Sequence, residues 1–182
     1  MSGCSSSRRD FLSSAALAGA GLLLSRPAFA DDMPATSRSL AFVNTHTGEK
    51  VSTVYWADGV YQPDGLAAIN RVLRDHRTGL VKNIDRRLLD VLHALRLDLG
   101  TRAPFHVISC YRAPQSNALL RRLGRAVAEK SLHMEGKAAD VRLPGVELDL
   151  LHKAAVARKA GGVGYYAGPS FVHVDVGRIR YW

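Results

Sequence analysis

The sequence predicts an α+β fold, a single domain in which an antiparallel sheet is flanked by helices, and three features carry that prediction. Two alternating apolar segments, residues 39–44 and 50–56, sit on either side of the turn-forming run Thr45-His46-Thr47-Gly48-Glu49. Two stretches with helical apolar spacing then follow one another directly. The last part of the chain mixes short strand-like runs with a further helical stretch and ends on a second strand pair. Hairpins and consecutive helices, rather than a regular strand–helix alternation, are the pattern of an α+β chain.

Leu40, Phe42, Val51 and Tyr55 lie within the first two strands, and the polar turn between them makes a hairpin the expected form. Pro63-Asp64 opens a helix whose apolar positions Leu66, Ile69, Val72 and Leu73 share a face, and which is expected to end near Gly79. Asp85 can cap the next helix, where Leu88, Leu89, Leu92, Leu95 and Leu99 form a stripe that stops at Gly100. Residues 105–110 form a strand that Pro114 ends, so Arg112 leaves a buried strand just before a turn. A helix is expected over 117–123, a basic connection over 124–130, and another helix over 146–160 that Gly161-Gly162 terminates. Residues 163–166 and 171–176 complete the sheet as a pair around Ala167-Gly168-Pro169-Ser170.

Composition narrows the class. The chain has 182 residues, 47% hydrophobic and 23% charged, which suits a globular domain of ordinary size. Its formal net charge of +9 is spread along the chain, which implies attraction to polyanions without choosing among them. No dense Lys/Arg run interleaved with aromatics is present, so nucleic-acid binding is not expected. Residues 1–30 read as a removable twin-arginine signal, with Ser7-Arg8-Arg9-Asp10-Phe11-Leu12, an apolar stretch too short for a membrane span, and Ala28-Phe29-Ala30 as the cleavage site. The expected organisation is therefore a signal over 1–30 and one domain over 31–182, exported to the periplasm and keeping no stable membrane anchor. Of the two cysteines, Cys4 falls in the signal, which leaves Cys110 as the mature thiol and allows no intramolecular disulfide.

The chemistry gathers at residues 131–140, Ser-Leu-His-Met-Glu-Gly-Lys-Ala-Ala-Asp, and at Phe171-Val172-His173-Val174-Asp175. A lone histidine is more often structural than a ligand. Yet positions i and i+2 of a strand share a face, so His173 and Asp175 point together while Val172 and Val174 suit burial on the other side. His133, Asp140 and His173 make a candidate zinc set of two imidazoles and one carboxylate, which leaves an open position. Arg112 carries a planar fork suited to a carboxylate.

Ser131-x-His133-x-x-Gly136-x-Ala138-x-Asp140 resembles the first metal motif of the LAS-type zinc peptidases, the D-Ala-D-Ala carboxypeptidase, lysostaphin and hedgehog group. Ser109-Cys110-Tyr111-Arg112 is similar to their Ser-x-Tyr-Arg stretch, and 161–166 with 171–175 is similar to the murein endopeptidase K subgroup. The resemblance implies a hedgehog/D-Ala-D-Ala peptidase-like fold and one Zn²⁺ per chain on His133, Asp140 and His173. It also implies Arg112 as the substrate-carboxylate or oxyanion contact. The implied activity is hydrolysis of meso-diaminopimelate-containing cross-links of peptidoglycan. The alternatives are a D,D-carboxypeptidase releasing terminal D-alanine and a non-catalytic wall-binding protein with a structural zinc. Many relatives place a base two positions before the last ligand, where this chain has Phe171. Asp175 is therefore the expected catalytic base or support of the metal site, with Glu135 as a weaker candidate.

Overall fold

The computed structural model describes residues 37–125 and 127–182; the signal expected over 1–30 lies outside them. The elements run β1 (Ser37–Asn44), β2 (Lys50–Ala57), β3 (Val60–Tyr61), α1 (Pro63–Val72), α2 (Arg86–Asp98), β4 (Phe105–Ser109) and α3 (Pro114–Arg122). A 3₁₀ turn follows (Leu132–Glu135), then β5 (Ala138–Arg142), α4 (Leu148–Arg158), β6 (Gly162–Tyr166), β7 (Phe171–Asp175) and β8 (Arg180–Tyr181). One eight-stranded sheet holds every strand in the order β3-β2-β1-β4-β5-β7-β6-β8.

The α+β class is as expected, but the sheet is mixed rather than antiparallel throughout. β1 pairs with β4 in parallel, and β6 pairs with β8 in parallel. The hairpin-joined pairs β1–β2 and β6–β7 are antiparallel, as short turns require. Between β1 and β4 the chain makes β2, β3, α1 and α2, and a connection of that length lets the strand return in the same direction. β8 reaches its place by crossing the end of β6 after β7, so it runs against β7 and therefore along β6. Neither pairing has a signature in local hydrophobic alternation.

Helices α1, α2 and α4 cover the sheet: α1 packs on β1 and β2, α2 on β1 and α4, and α4 on β6 and β7. The predicted leucine stripe of α2 is the centre of the core, with Leu88, Leu89, Leu92 and Leu95 all fully buried. Each such side chain contributes roughly 1.5–3 kcal/mol by leaving water. Asp85 caps α2 as expected, its carboxylate accepting from the Arg87 backbone N–H at 2.9 Å. Asp90, midway along α2, accepts from Arg38, Tyr55 and Tyr61 and so pins the helix to all three N-terminal strands.

One helix boundary differs from the expected one. α1 stops at Val72, well short of Gly79, because Asp75 turns its carboxylate back onto the chain. Its Oδ1 accepts from the backbone N–H groups of Arg77 and Thr78 at 2.8 and 3.2 Å, an Asx turn that competes with a helical ladder.

Candidate metal centre

β5 and β7 lie side by side in the middle of the sheet, with Asp140 directly opposite His173. Val172 and Val174 pack into the core with Val141 and Ala139, so alternation sends Asp140 and His173 to the other face. His133 comes from the 3₁₀ turn that precedes β5. Gly136 ends that turn at φ +70°, and a Cβ there would stand 2.7 Å from the Asn83 carbonyl oxygen. A glycine meets both demands at once. The Gly136 carbonyl in turn accepts from the Asp85 N–H at 2.9 Å, which ties the turn to the start of α2.

Three donor atoms meet on that face. His133 Nε2 lies 3.3 Å from Asp140 Oδ1 and 3.3 Å from His173 Nδ1, and His173 Nδ1 lies 2.8 Å from Asp140 Oδ1. A tetrahedral ion with bonds of about 2.0 Å needs donors about 3.3 Å apart, which two edges of the triangle match while the His173–Asp140 edge is shorter. The far side of each ring is also committed. His133 Nδ1 is 2.7 Å from the Cys110 carbonyl, which can only accept, so the proton sits on Nδ1 and the Nε2 lone pair faces the other donors. His173 Nε2 is 3.1 Å from Asp175 Oδ2, which likewise leaves Nδ1 for a cation. Imidazoles held by a carbonyl and a carboxylate behind them are the usual support of a metal site. His133, Asp140 and His173 can therefore hold a metal ion.

The electrostatics agree. Burial alone would raise the Asp140 pKa, but the two imidazoles outweigh it and hold the carboxyl well below its ordinary value. Burial pushes His173 down, and hydrogen bonds to Asp140 and Asp175 more than reverse that, so its pKa is raised. The site thus stabilises the Asp140 carboxylate and favours positive charge between Asp140 and Asp175.

Asp175 is placed behind His173 rather than beside the donors. Its side chain is fully buried. Oδ1 accepts from the Gly162 and Gly177 N–H groups at 2.9 and 2.8 Å, and Oδ2 accepts from Arg180 at 2.7 Å as well as facing His173. Burial opposes ionisation, yet the hydrogen bond from His173 and these backbone donors bring its pKa down to about 2. Glu135 is exposed, paired with Lys137 at 2.6 Å, and does not line the cleft. Cys110 is buried, and burial with the nearby Asp140 charge pushes its thiol far above the ordinary range, so it is no nucleophile.

Arg112 is buried beside the donors. Its guanidinium donates to Ser109 Oγ at 3.2 Å and Asn117 Oδ1 at 3.3 Å, and it stands 3.8 Å from Asp140 Oδ2. Its Nε is buried and finds no hydrogen-bond partner among the described residues. The backbone around it is held at three points. The N–H groups of Tyr111, Arg112 and Ala113 donate to the Leu73 carbonyl, the His133 carbonyl and Asp75 Oδ2 at 3.1, 3.1 and 2.7 Å.

These supports were not visible in the sequence. Asp75 sat inside a stretch read as helix, and the Asx turn that frees it shows only as the triplet Asp75-His76-Arg77 before Thr78-Gly79. Trp182 was missed as well. Its indole lies over His173 with ring centres 5.3 Å apart and donates to the Tyr166 hydroxyl at 2.8 Å. A Cβ on Gly164 would come within 2.5 Å of that indole, so a glycine on β6 makes the seat. His46 and His76 stack with ring centres 3.8 Å apart and line the same cleft. Burial brings His76 down to about 4, so it is neutral at pH 7. The cleft has a volume of about 590 Å³ and contains the three donors and Arg112 on its lining.

Residues 32–182 match the family described as peptidoglycan L,D-endopeptidase MepK. The chain is 40% identical over 175 residues to proteins named peptidoglycan L,D-endopeptidase MepK in Escherichia coli (strain K12) and Shigella flexneri, covering 96% of this chain and 96% of each relative. It is 38% identical over 146 residues to a probable peptidoglycan L,D-endopeptidase MepK of Haemophilus influenzae, covering 80% of this chain and 78% of the relative.

Proposed function

This chain belongs to the peptidoglycan L,D-endopeptidase MepK family, and from that premise we propose that it is a zinc-dependent hydrolase opening meso-diaminopimelate-containing cross-links of murein. The observation that carries the metal side of the reading is the triangle of His133 Nε2, Asp140 Oδ1 and His173 Nδ1, with both rings anchored from behind. Two neutral nitrogens and one carboxylate suit Zn²⁺ and leave a position open. The hedgehog/D-Ala-D-Ala peptidase-like assignment of the fold goes with this reading.

When bound, zinc supplies Lewis acidity toward a peptide carbonyl and toward water. The chain's own residues do the rest. Arg112, fixed by Ser109 and Asn117, lines the cleft and offers its guanidinium to a carboxylate or to the oxyanion that develops at the scissile carbonyl. The Cys110 carbonyl and Asp175 hold the imidazole protons away from the cleft, so both rings keep their lone pairs turned inward. Asp175 has no oxygen free for substrate, and its role in this reading is to orient His173. The proposed compartment is the periplasm, reached by the twin-arginine route, on the strength of Arg8, Arg9 and the Ala28-Phe29-Ala30 site. No described helix is long and apolar enough to cross a membrane.

The test is digestion of purified sacculi with zinc-loaded protein. Cross-linked muropeptide dimers are expected to fall to monomers, with chelator stopping the reaction and zinc restoring it. Release of D-alanine from monomers alone would replace this reading with a carboxypeptidase.

Asp175→Asn separates orientation from proton transfer. Zinc affinity is expected to fall about 10–100-fold, the range for losing the partner behind a ligating histidine. Turnover at saturating zinc is expected to stay within a few-fold of wild type. Full zinc occupancy with turnover abolished would make Asp175 the proton-transfer residue instead.

A further inference from the structure

The cleft that contains the metal donors carries more positive charge than those donors use. Arg77, Arg112, Arg125, Lys130 and Arg180 all line it, and Asp140 supplies its single acidic side chain among the described residues. Two of the five cations are spoken for: Arg180 is paired with Asp175 at 2.7 Å, and Arg112 faces Asp140 at 3.8 Å. Arg77, Arg125 and Lys130 make no ion pair among the described residues, although each is exposed and other arginines nearby find partners. Glu129, beside Lys130, pairs instead with Arg121 and stays off the cleft lining.

Their placement is not accidental to the fold. Arg77 stands on the Asx turn that Asp75 makes, the same carboxylate that holds the backbone after Arg112, and its charge acts on the Arg112 guanidinium. Arg125 and Lys130 lie on the connection that Asn117 ties down by donating to the Ala128 and Glu129 carbonyls at 3.0 and 3.4 Å. Asn117 also accepts from Arg112. The three free cations thus hang from the two side chains that position Arg112, so a ligand reaching Arg112 passes within their field.

We infer that Arg77, Arg125 and Lys130 form a carboxylate-reading wall that makes the enzyme select peptides with several free carboxylates. The inference rests on the murein reading, because stem peptides of peptidoglycan carry such groups along and beside the cleaved bond. Recognition is by point charges at a solvated rim, so it adds affinity and encounter rate rather than transition-state stabilisation.

The experiment compares the zinc-loaded wild type with the triple variant Arg77→Gln/Arg125→Gln/Lys130→Gln. The binding probe is a monomeric stem tetrapeptide, which the proposed reaction would not cleave, in its free-acid form and with its carboxylates amidated. Calorimetry should show wild type preferring the acid form by about 10-fold, a modest gain in keeping with three solvent-exposed pairs. The preference should shrink to about 2-fold in the variant, and in wild type as salt rises toward about 1 M, where the screening length is near 3 Å. With cross-linked dimer as substrate, KM should rise about as much as binding weakens while kcat stays within about 2-fold. An unchanged melting temperature shows that the variant folds. A variant that keeps the wild-type preference, or a wild type with none, overturns the inference. Sacculi digested without any acid preference overturn it and leave the murein reading standing. Acid preference without digestion supports the wall and removes the hydrolase reading.

Discussion

His133→Ala is expected to abolish hydrolysis of sacculi and to leave the purified protein without bound zinc. The substitution removes one of three donors that stand within 3.3 Å of one another, and neither remaining side chain can move to replace it. Asp140 is held in the middle of a five-residue strand paired on both sides, and His173 is tied from behind by Asp175. Losing the partner behind a ligand costs about 10–100-fold in affinity, so losing the ligand itself should cost more than about 100-fold. The fold should survive, because the imidazole makes one backbone contact, to the Cys110 carbonyl, and the turn that carries it is held by backbone hydrogen bonds. Zinc content and activity are read on the same sample. A folded variant that digests sacculi at the wild-type rate would remove His133 from the catalytic metal site.

Arg112→Gln is expected to lower kcat/KM by about 10²–10³-fold, the usual cost of one preorganised donor at a developing oxyanion. Zinc content should be unchanged, since the guanidinium stands 3.8 Å from a ligand carboxylate and contributes no donor atom of its own to the metal. Arg112→Lys should recover little of the loss. It restores the charge, but an ammonium lacks the planar fork that holds Ser109 and Asn117 while the guanidinium faces the cleft. Lysine activity close to wild type would mean that only net charge matters at this position. A parallel loss of zinc would mean that Arg112 acts by stabilising Asp140.

Much of this site was legible because its residues sit in local patterns. His173 stood out as a polar position in an alternating strand, and the structure indeed buries Val172 and Val174 opposite it. Gly136 marked the turn between His133 and Asp140, and its left-handed conformation explains why. Asp85 and the leucines of α2 were read correctly for the same reason, since capping and helical spacing act over a few residues. What escaped were the long-range arrangements. The parallel pairing of β1 with β4 joins segments separated by two helices, and no local period records it. Asp75 reaches Ala113 across 38 residues, and the stacking of His46 on His76 depends on the same return of the chain. Asp175 was placed on the right face, but which atoms it would satisfy depended on Gly162, Gly177 and Arg180 arriving together.

The direct opposition of Asp140 and His173 across β5 and β7 would make a bound ion a lock on strand alignment. A slip of one residue between these strands would turn one donor to the core face and part the pair. Only the native alignment can then bind the metal tightly, and by mass action an ion at 100 times its dissociation constant favours that alignment by about 2.7 kcal/mol. Metal loading would therefore edit the sheet as well as equip the site: a chain that paired its central strands wrongly would not be captured, and would stay free to separate and try again.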